Sequence, residues 1–159
     1  MNKDTPLLAS NFALDFMTSP NWFRTIRQLI TTSSTLCGFD ERIAGQITMA
    51  VDEALCNIHR HGYHGTSGAV TLRVTTSHTP STTIEICIED EAKQVDVNNI
   101  KSRNLEDLRP GGLGVHLIKT IMDEVNWSKS DTGGMKLTMR KTNKTNSNCN
   151  SIIESNVNE

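Results

Sequence analysis

The sequence predicts an α+β two-layer sandwich, a mixed and largely antiparallel sheet with helices on one face. Two periodicities and an order of elements carry that expectation. Ile43, Ile47, Ala50, Val51, Ala54 and Ile58 recur with helical spacing and define a buried stripe. Ile84, Ile86 and Ile88 alternate with polar neighbours, as in a half-buried strand. Along the chain, one strand and two helices precede a hairpin, a helix and two closing strands.

Residues 1–9 read as a lead-in and residues 10–141 as a single domain. Asn11 to Met17 alternates Phe12, Leu14 and Phe16 and predicts the first strand. Ser19-Pro20 supplies an N-cap and a proline at the first helical position, opening a helix to about Leu36. Asp40 caps a second helix, with a C-cap expected at Gly62. Strands near 68–77 and 82–90 form a hairpin through Ser77-His78-Thr79-Pro80-Ser81, and a polar connection spans 91–110. Val115, Leu117, Ile118, Ile121, Met122 and Val125 suit a third helix, before strands near 125–130 and 134–141 that meet at Thr132-Gly133-Gly134. Residues 142–159 are polar and poor in large apolar side chains, the composition of a disordered tail.

At 159 residues the chain can build one domain with its own core. Sixteen basic against eighteen acidic residues give a net charge of −2, which leaves no electrostatic case for binding nucleic acid. The four cysteines, Cys37, Cys56, Cys87 and Cys149, lack metal-type spacing, and Cys56 and Cys87 read as small hydrophobes within apolar elements. His59, His61 and His64 have no matching cysteine or carboxylate set, which argues against a metal site there. No signal peptide and no run of ~18 apolar residues is visible, so a soluble cytoplasmic protein without membrane contact is expected.

Three segments carry chemistry. In Val51-Asp52-Glu53-Ala54-Leu55-Cys56-Asn57-Ile58-His59-Arg60-His61-Gly62-Tyr63, Glu53 and Asn57 are four residues apart, on one helical face at the border of the apolar stripe. A carboxylate and a carboxamide so placed can hold a magnesium ion and a proton acceptor over one cavity, or can be a solvated polar edge. In Arg109-Pro110-Gly111-Gly112-Leu113-Gly114-Val115, three glycines within four positions open a helix. Such a turn offers free N–H groups and a positive dipole end to phosphate, though glycines at a helix start are often only a tight turn. No Gly-Lys-Ser/Thr follows, so it is not a P-loop. In the third segment the alternating strand ends at Asp90, where a side chain can reach into a pocket or simply form a turn.

In this order and spacing the segments resemble the N, G1 and G2 boxes of the Bergerat-type ATP-binding fold shared by gyrase, Hsp90-type chaperones, histidine kinases and MutL. Within it, Glu53 through Tyr63 and Gly111 through Val125 resemble the bacterial anti-sigma factor serine/threonine kinases, the RsbW/SpoIIAB group, over residues 10 to 141. The resemblance implies ATP and Mg²⁺ as ligands. Asn57 would ligate the magnesium, and Glu53 would orient or deprotonate the attacking hydroxyl. Asp90 would accept from the exocyclic amine of adenine. Gly111, Gly112 and Gly114, with Leu113 in the same turn, would cradle phosphates. Arg109, in a lid over residues 91–110, would reach a phosphate.

Two departures stand out. Ala92 replaces the glycine of the first glycine box, where a Cβ is expected to crowd the base or strain a positive-φ turn. Near Gly133-Gly134 no hydroxyl follows directly, which leaves Thr138 as the nearest candidate for a nucleotide contact or as an ordinary strand threonine. The implied role is a kinase of a partner-switching module. It would phosphorylate a STAS-domain anti-sigma factor antagonist, sequester a sigma factor, and could act as a homodimer. The alternative is a partner-binding module that keeps the fold without the activity.

Overall fold

Two side-chain caps set the helical layer in the computed structural model, which describes residues 10–78, 81–92, 113–131 and 133–143. Ser19 is extended and accepts from the Asn21 N–H, and Pro20 follows at the first helical position, so α1 spans Pro20–Leu36. Asp40 accepts from the Ile43 N–H and starts α2 (Glu41–Asn57). The expected continuation to Gly62 changes character: α2 ends at Asn57, and Ile58–Gly62 form one π-helical turn. Such wide turns recur at functional sites.

The strands are β1 (Ser10–Met17), β2 (Ala69–Ser77), β3 (Thr83–Asp90), β4 (Glu124–Lys129) and β5 (Met135–Thr142), with α3 (Leu113–Ile121) between β3 and β4. Their order in the sheet is β1-β2-β3-β5-β4. All four pairings are antiparallel, so the mixed sheet that the sequence suggests is purely antiparallel among the described strands. Val125, part of the expected helical run, belongs to β4, because α3 stops before Met122 and Asp123. Lys141 closes that helix end by donating to the Ile121 carbonyl at 2.6 Å and pairing with Asp123 at 3.0 Å.

The last strand runs one residue past its expected end. Thr142 is the last residue of β5, and Asn143 donates through its backbone to Thr82 O and through its side chain to Gly38 O. The lead-in, most of the polar connection and the tail beyond Asn143 lie outside the described residues.

The core lies between the helices and one sheet face. Ile30, Ile47 and Leu55 meet Leu72, Ile86, Ile88 and Met139, all fully shielded from solvent. Truncating one of these to alanine typically costs about 2–5 kcal/mol. The other sheet face is polar. The register puts Cys87 there opposite Thr138, with the Glu89 carboxylate beside it, so the expectation that Cys87 sits as a small hydrophobe fails; among the described residues the buried thiol is Cys37. Thr18, itself buried, anchors the loop after the π turn: its N–H donates to Gly68 O at 2.8 Å and its hydroxyl accepts from the Gly68 N–H at 3.0 Å. That anchoring fixes where β2 starts relative to α2.

Candidate nucleotide site

Glu53 and Asn57 lie on α2 beside the first turn of α3, and Asp90 ends β3, with the following Ala92 seated on Gly62 just beyond α2. Glu53 and Asn57 are both half-buried, one turn apart on the same helix. α3 packs against α2 so closely that a Cβ on Gly114 would collide with the Glu53 Oε1 and stand 2.6 Å from its Cδ. Only a glycine lets the α3 backbone come this near the carboxylate. Leu113, the first residue of α3, is exposed. Arg109, Gly111 and Gly112 lie outside the described residues.

Asp90 is 5 % exposed and faces the helices. Its Oδ1 accepts from the Ala92 N–H at 2.9 Å and from the Met135 N–H at 3.4 Å. Burial pushes its carboxyl above the usual aspartate value, and those two N–H donors pull against that shift. Gly134 packs against the Asp90 backbone: a Cβ there would clash with the Asp90 carbonyl and stand 2.8 Å from Oδ1. The glycine pair before β5 therefore serves this site through Gly134, and a missing hydroxyl after it changes nothing in that contact.

Ala92 departs from its expected strain. Among the described residues His64, at φ 52°, is the non-glycine residue with left-handed backbone, and Ala92 does not share that conformation. Its buried methyl instead faces Gly62, where an added Cβ would lie only 3.0 Å from it. The glycine that makes room for Ala92 is thus thirty residues upstream. Thr138, by contrast, is not brought to the site. It pairs with Cys87 on the polar face, since Leu137 and Met139 take the core-facing positions of β5.

Sequence reasoning passed over Tyr63 as a contributor. Its hydroxyl donates to the Ala69 carbonyl at 2.6 Å and accepts from the Glu91 N–H at 2.9 Å. Its ring packs on Gly68, where a Cβ would strike it. The sequence hint is its place in the His61-Gly62-Tyr63 ending of the segment that carries the family resemblance, which says nothing of what its hydroxyl meets.

Among the described residues no cluster of three or more His, Cys, Asp or Glu is arranged to hold a metal. Magnesium at phosphoryl-transfer sites takes one or two protein oxygens and otherwise water and phosphate. Asn57 beside Glu53 fits that demand, with the glycine-cleared approach of α3 adjoining it.

An antiparallel sheet under α2 and α3, with a carboxylate–carboxamide pair facing a glycine-opened helix start and a buried aspartate at a strand end, defines a nucleotide-binding α+β sandwich. The histidine kinase-like ATPase domain matches residues 16–141, and the chain belongs to that family. Among its relatives, the serine-protein kinase RsbW of Halalkalibacterium halodurans is 29 % identical over 118 residues, covering 68 % of each chain. The RsbW of Oceanobacillus iheyensis is 28 % identical over 67 % of this chain and 71 % of its own. The fold is also that of the RsbU and RsbW domains of Rv1364c from Mycobacterium tuberculosis, at a TM-score of 0.56 and 16 % identity. This chain covers 32 % of that polypeptide, and 83 % of it is matched. The SiaB–SiaC complex from Pseudomonas aeruginosa gives the same TM-score at 15 % identity, with 82 % and 88 % covered. No helix among the described residues is long and apolar enough to cross a membrane.

Proposed function

We propose that the chain is an ATP-dependent protein serine/threonine kinase of a partner-switching module, whose substrate is a STAS-domain antagonist and whose second partner is a sigma factor. The observation that carries the reading is the approach of α3 to Glu53, because it joins a carboxylate to a helix start suited to phosphate. Relatives that bear the name serine-protein kinase RsbW support it. A cytoplasmic location and pairing with a second copy accord with the same role.

In this reading Glu53 orients the acceptor hydroxyl and takes its proton, and Asn57 offers its amide oxygen to magnesium. The ion supplies charge neutralisation across the phosphates. Asp90 accepts from the adenine amine through the oxygen not held by Ala92 and Met135. Gly114, with Gly111, Gly112, Leu113 and Arg109 before it, places backbone donors and a cation at the phosphates. Phosphoryl transfer depends chiefly on such positioning and charge stabilisation. The relaxed seat of Ala92 against Gly62 supports an active enzyme over a module that has kept only its partners.

The test is single-turnover transfer from radiolabelled Mg-ATP to a purified STAS protein. Glu53→Gln should slow transfer about 10²–10⁴-fold with ATP affinity largely kept. Transfer within a few-fold of wild type would remove Glu53 from the chemistry. A wild-type chain that binds ATP but labels no candidate substrate would leave the partner-binding module as the better description.

A further inference from the structure

Tyr63 occupies a place in the β2–β3 ladder that backbone would otherwise fill. The last paired residues are Val70 and Asp90. In the same antiparallel register the next pair would be Ala69 and Glu91. Ala69 O and Glu91 N do not bond each other there. The Tyr63 hydroxyl stands between them, donating to the first at 2.6 Å and accepting from the second at 2.9 Å. The sheet is thus extended by one rung made of a side chain, and β3 leaves the ladder immediately after Asp90.

Everything around the phenol holds it there. Its ring lies on Gly68, which has no room for a Cβ. Gly68 in turn is held by both backbone and side chain of Thr18. The Tyr63 N–H closes the π turn on Ile58 O at 2.9 Å, so the ring is tied to the helix that carries Glu53 and Asn57. Beyond the rung the chain turns, the Ala92 N–H comes back to Asp90 Oδ1 at 2.9 Å, and the Ala92 methyl seats on Gly62. Phenol, turn and carboxylate are one connected unit, from which Asp90 faces the helices.

We infer that Tyr63 is the positioning residue for base recognition: by ending the ladder at Val70–Asp90, its hydroxyl sets the depth and direction at which Asp90 meets the adenine amine. The inference rests on the reading that Asp90 takes adenine. Without the hydroxyl, Ala69 O and Glu91 N must either close on each other or turn to water. In both cases the turn carrying the Ala92 donor moves, and the Asp90 oxygens move with it. The phosphate side of the site, Glu53, Asn57 and the start of α3, meets this unit through the Tyr63 backbone and the π turn and makes no contact with the hydroxyl.

Tyr63→Phe keeps the ring and its packing on Gly68 and deletes only the hydroxyl. Calorimetric titration with Mg-ATP, Mg-ITP and inorganic tripolyphosphate separates the base end from the phosphate end, since inosine lacks the exocyclic amine. The expected result is a loss of ATP affinity of about three- to tenfold, the range of one neutral hydrogen bond. The ATP-to-ITP ratio should fall toward one while tripolyphosphate binding stays unchanged. A variant that keeps both ATP affinity and the ratio would overturn the inference. So would an equal loss for all three ligands, which a merely structural tyrosine would give. A wild-type chain that binds no ATP, or does not prefer it to ITP, sinks the adenine reading itself and the inference with it. Should the variant not fold, amide exchange in the wild-type protein decides. Glu91 is exposed at its side chain, so protection of its N–H, rising further with ATP, supports the rung, and exchange at the free rate overturns it.

Discussion

Glu89 and Asp90 are neighbours in β3, yet they point to opposite faces of the sheet and are treated in opposite ways. On the polar face Glu89 pairs with Arg73 at 2.9 Å and Lys136 at 3.3 Å, and accepts from the Ser130 hydroxyl at 3.3 Å. Burial alone would raise its carboxyl, but Lys136, Arg73 and Ser130 together bring it below the ordinary glutamate value. Asp90, on the helix face, is buried with backbone donors and, among the described residues, no ion pair, and burial wins, so its carboxyl is raised. The first carboxylate stabilises the sheet. The second is buried where its charged form is disfavoured, as a group kept for a ligand would be, and the fold bears that penalty.

The comparison divides the molecule. Changes at the helix-facing end should alter chemistry with little loss of stability, and changes on the polar face the reverse. The largest expected effect is at Gly114. An alanine Cβ there meets the carboxylate end of Glu53, a flexible group that can swing aside, so the fold survives. Alanine is also the better helix former, by up to about 1 kcal/mol. Phosphate transfer by Gly114→Ala should fall about 10²-fold, the scale of a ~1 Å misplacement of a reacting group, with thermal stability equal or higher. Unfolding at a markedly lower temperature would show that the close approach serves packing instead, and would break the division.

A smaller effect, with opposite signs on the two faces, is expected from Glu89→Gln and Asp90→Asn. Glu89 has its pKa lowered on folding, so its stabilisation is present above the unfolded value near 4.5 and is lost as pH falls through the folded one. Glu89→Gln should therefore destabilise at pH 7 by about 1 kcal/mol, since its cations are half exposed, and the gap should close in acid. Asp90 is raised, so its neutral form favours folding: that contribution is complete below 3.8 and is lost as pH rises through the folded pKa. Asp90→Asn should be as stable as wild type or more so at pH 7, should lose this advantage toward pH 4, and should bind ATP less tightly. Urea titrations at pH 7 and pH 4 read both. Two shifts of the same sign at pH 7 would dissolve the contrast between the carboxylates.

Most of the frame was legible because it depends on local rules. Ser19-Pro20 and Asp40 announce their helices through side-chain caps, and the alternation of Ile84, Ile86 and Ile88 places the core face of β3. The pairing of Glu53 with Asn57 follows from helical geometry alone. Of the two readings of Thr138, the strand pattern favours the ordinary strand threonine: a residue between Leu137 and Met139 must face away from them. The parts that were not legible are contacts across the chain. Tyr63 meets Glu91 twenty-eight residues away, Gly134 makes room for the backbone of Asp90, and Gly62 makes room for Ala92. A glycine in sequence says that something comes close, without saying what.

The smallest expected effect falls on Ala92, where sequence and structure disagree most sharply. By sequence, Ala92→Gly should relieve crowding at the base and tighten ATP. In the structure the methyl is buried against Gly62, on a backbone that requires no glycine. Removing it gives up about 0.8 kcal/mol of burial and adds about 0.4–1 kcal/mol of unfolded-chain entropy. Ala92→Gly should thus lower stability by about 1–2 kcal/mol, roughly 2–8 °C in Tm at this chain length, and leave ATP affinity unchanged. This would be the one substitution at the helix-facing end that behaves like a polar-face change. Calorimetry showing tighter ATP binding at unchanged Tm would put the methyl in the base pocket, and the packing of Ala92 on Gly62 would then no longer account for the missing glycine.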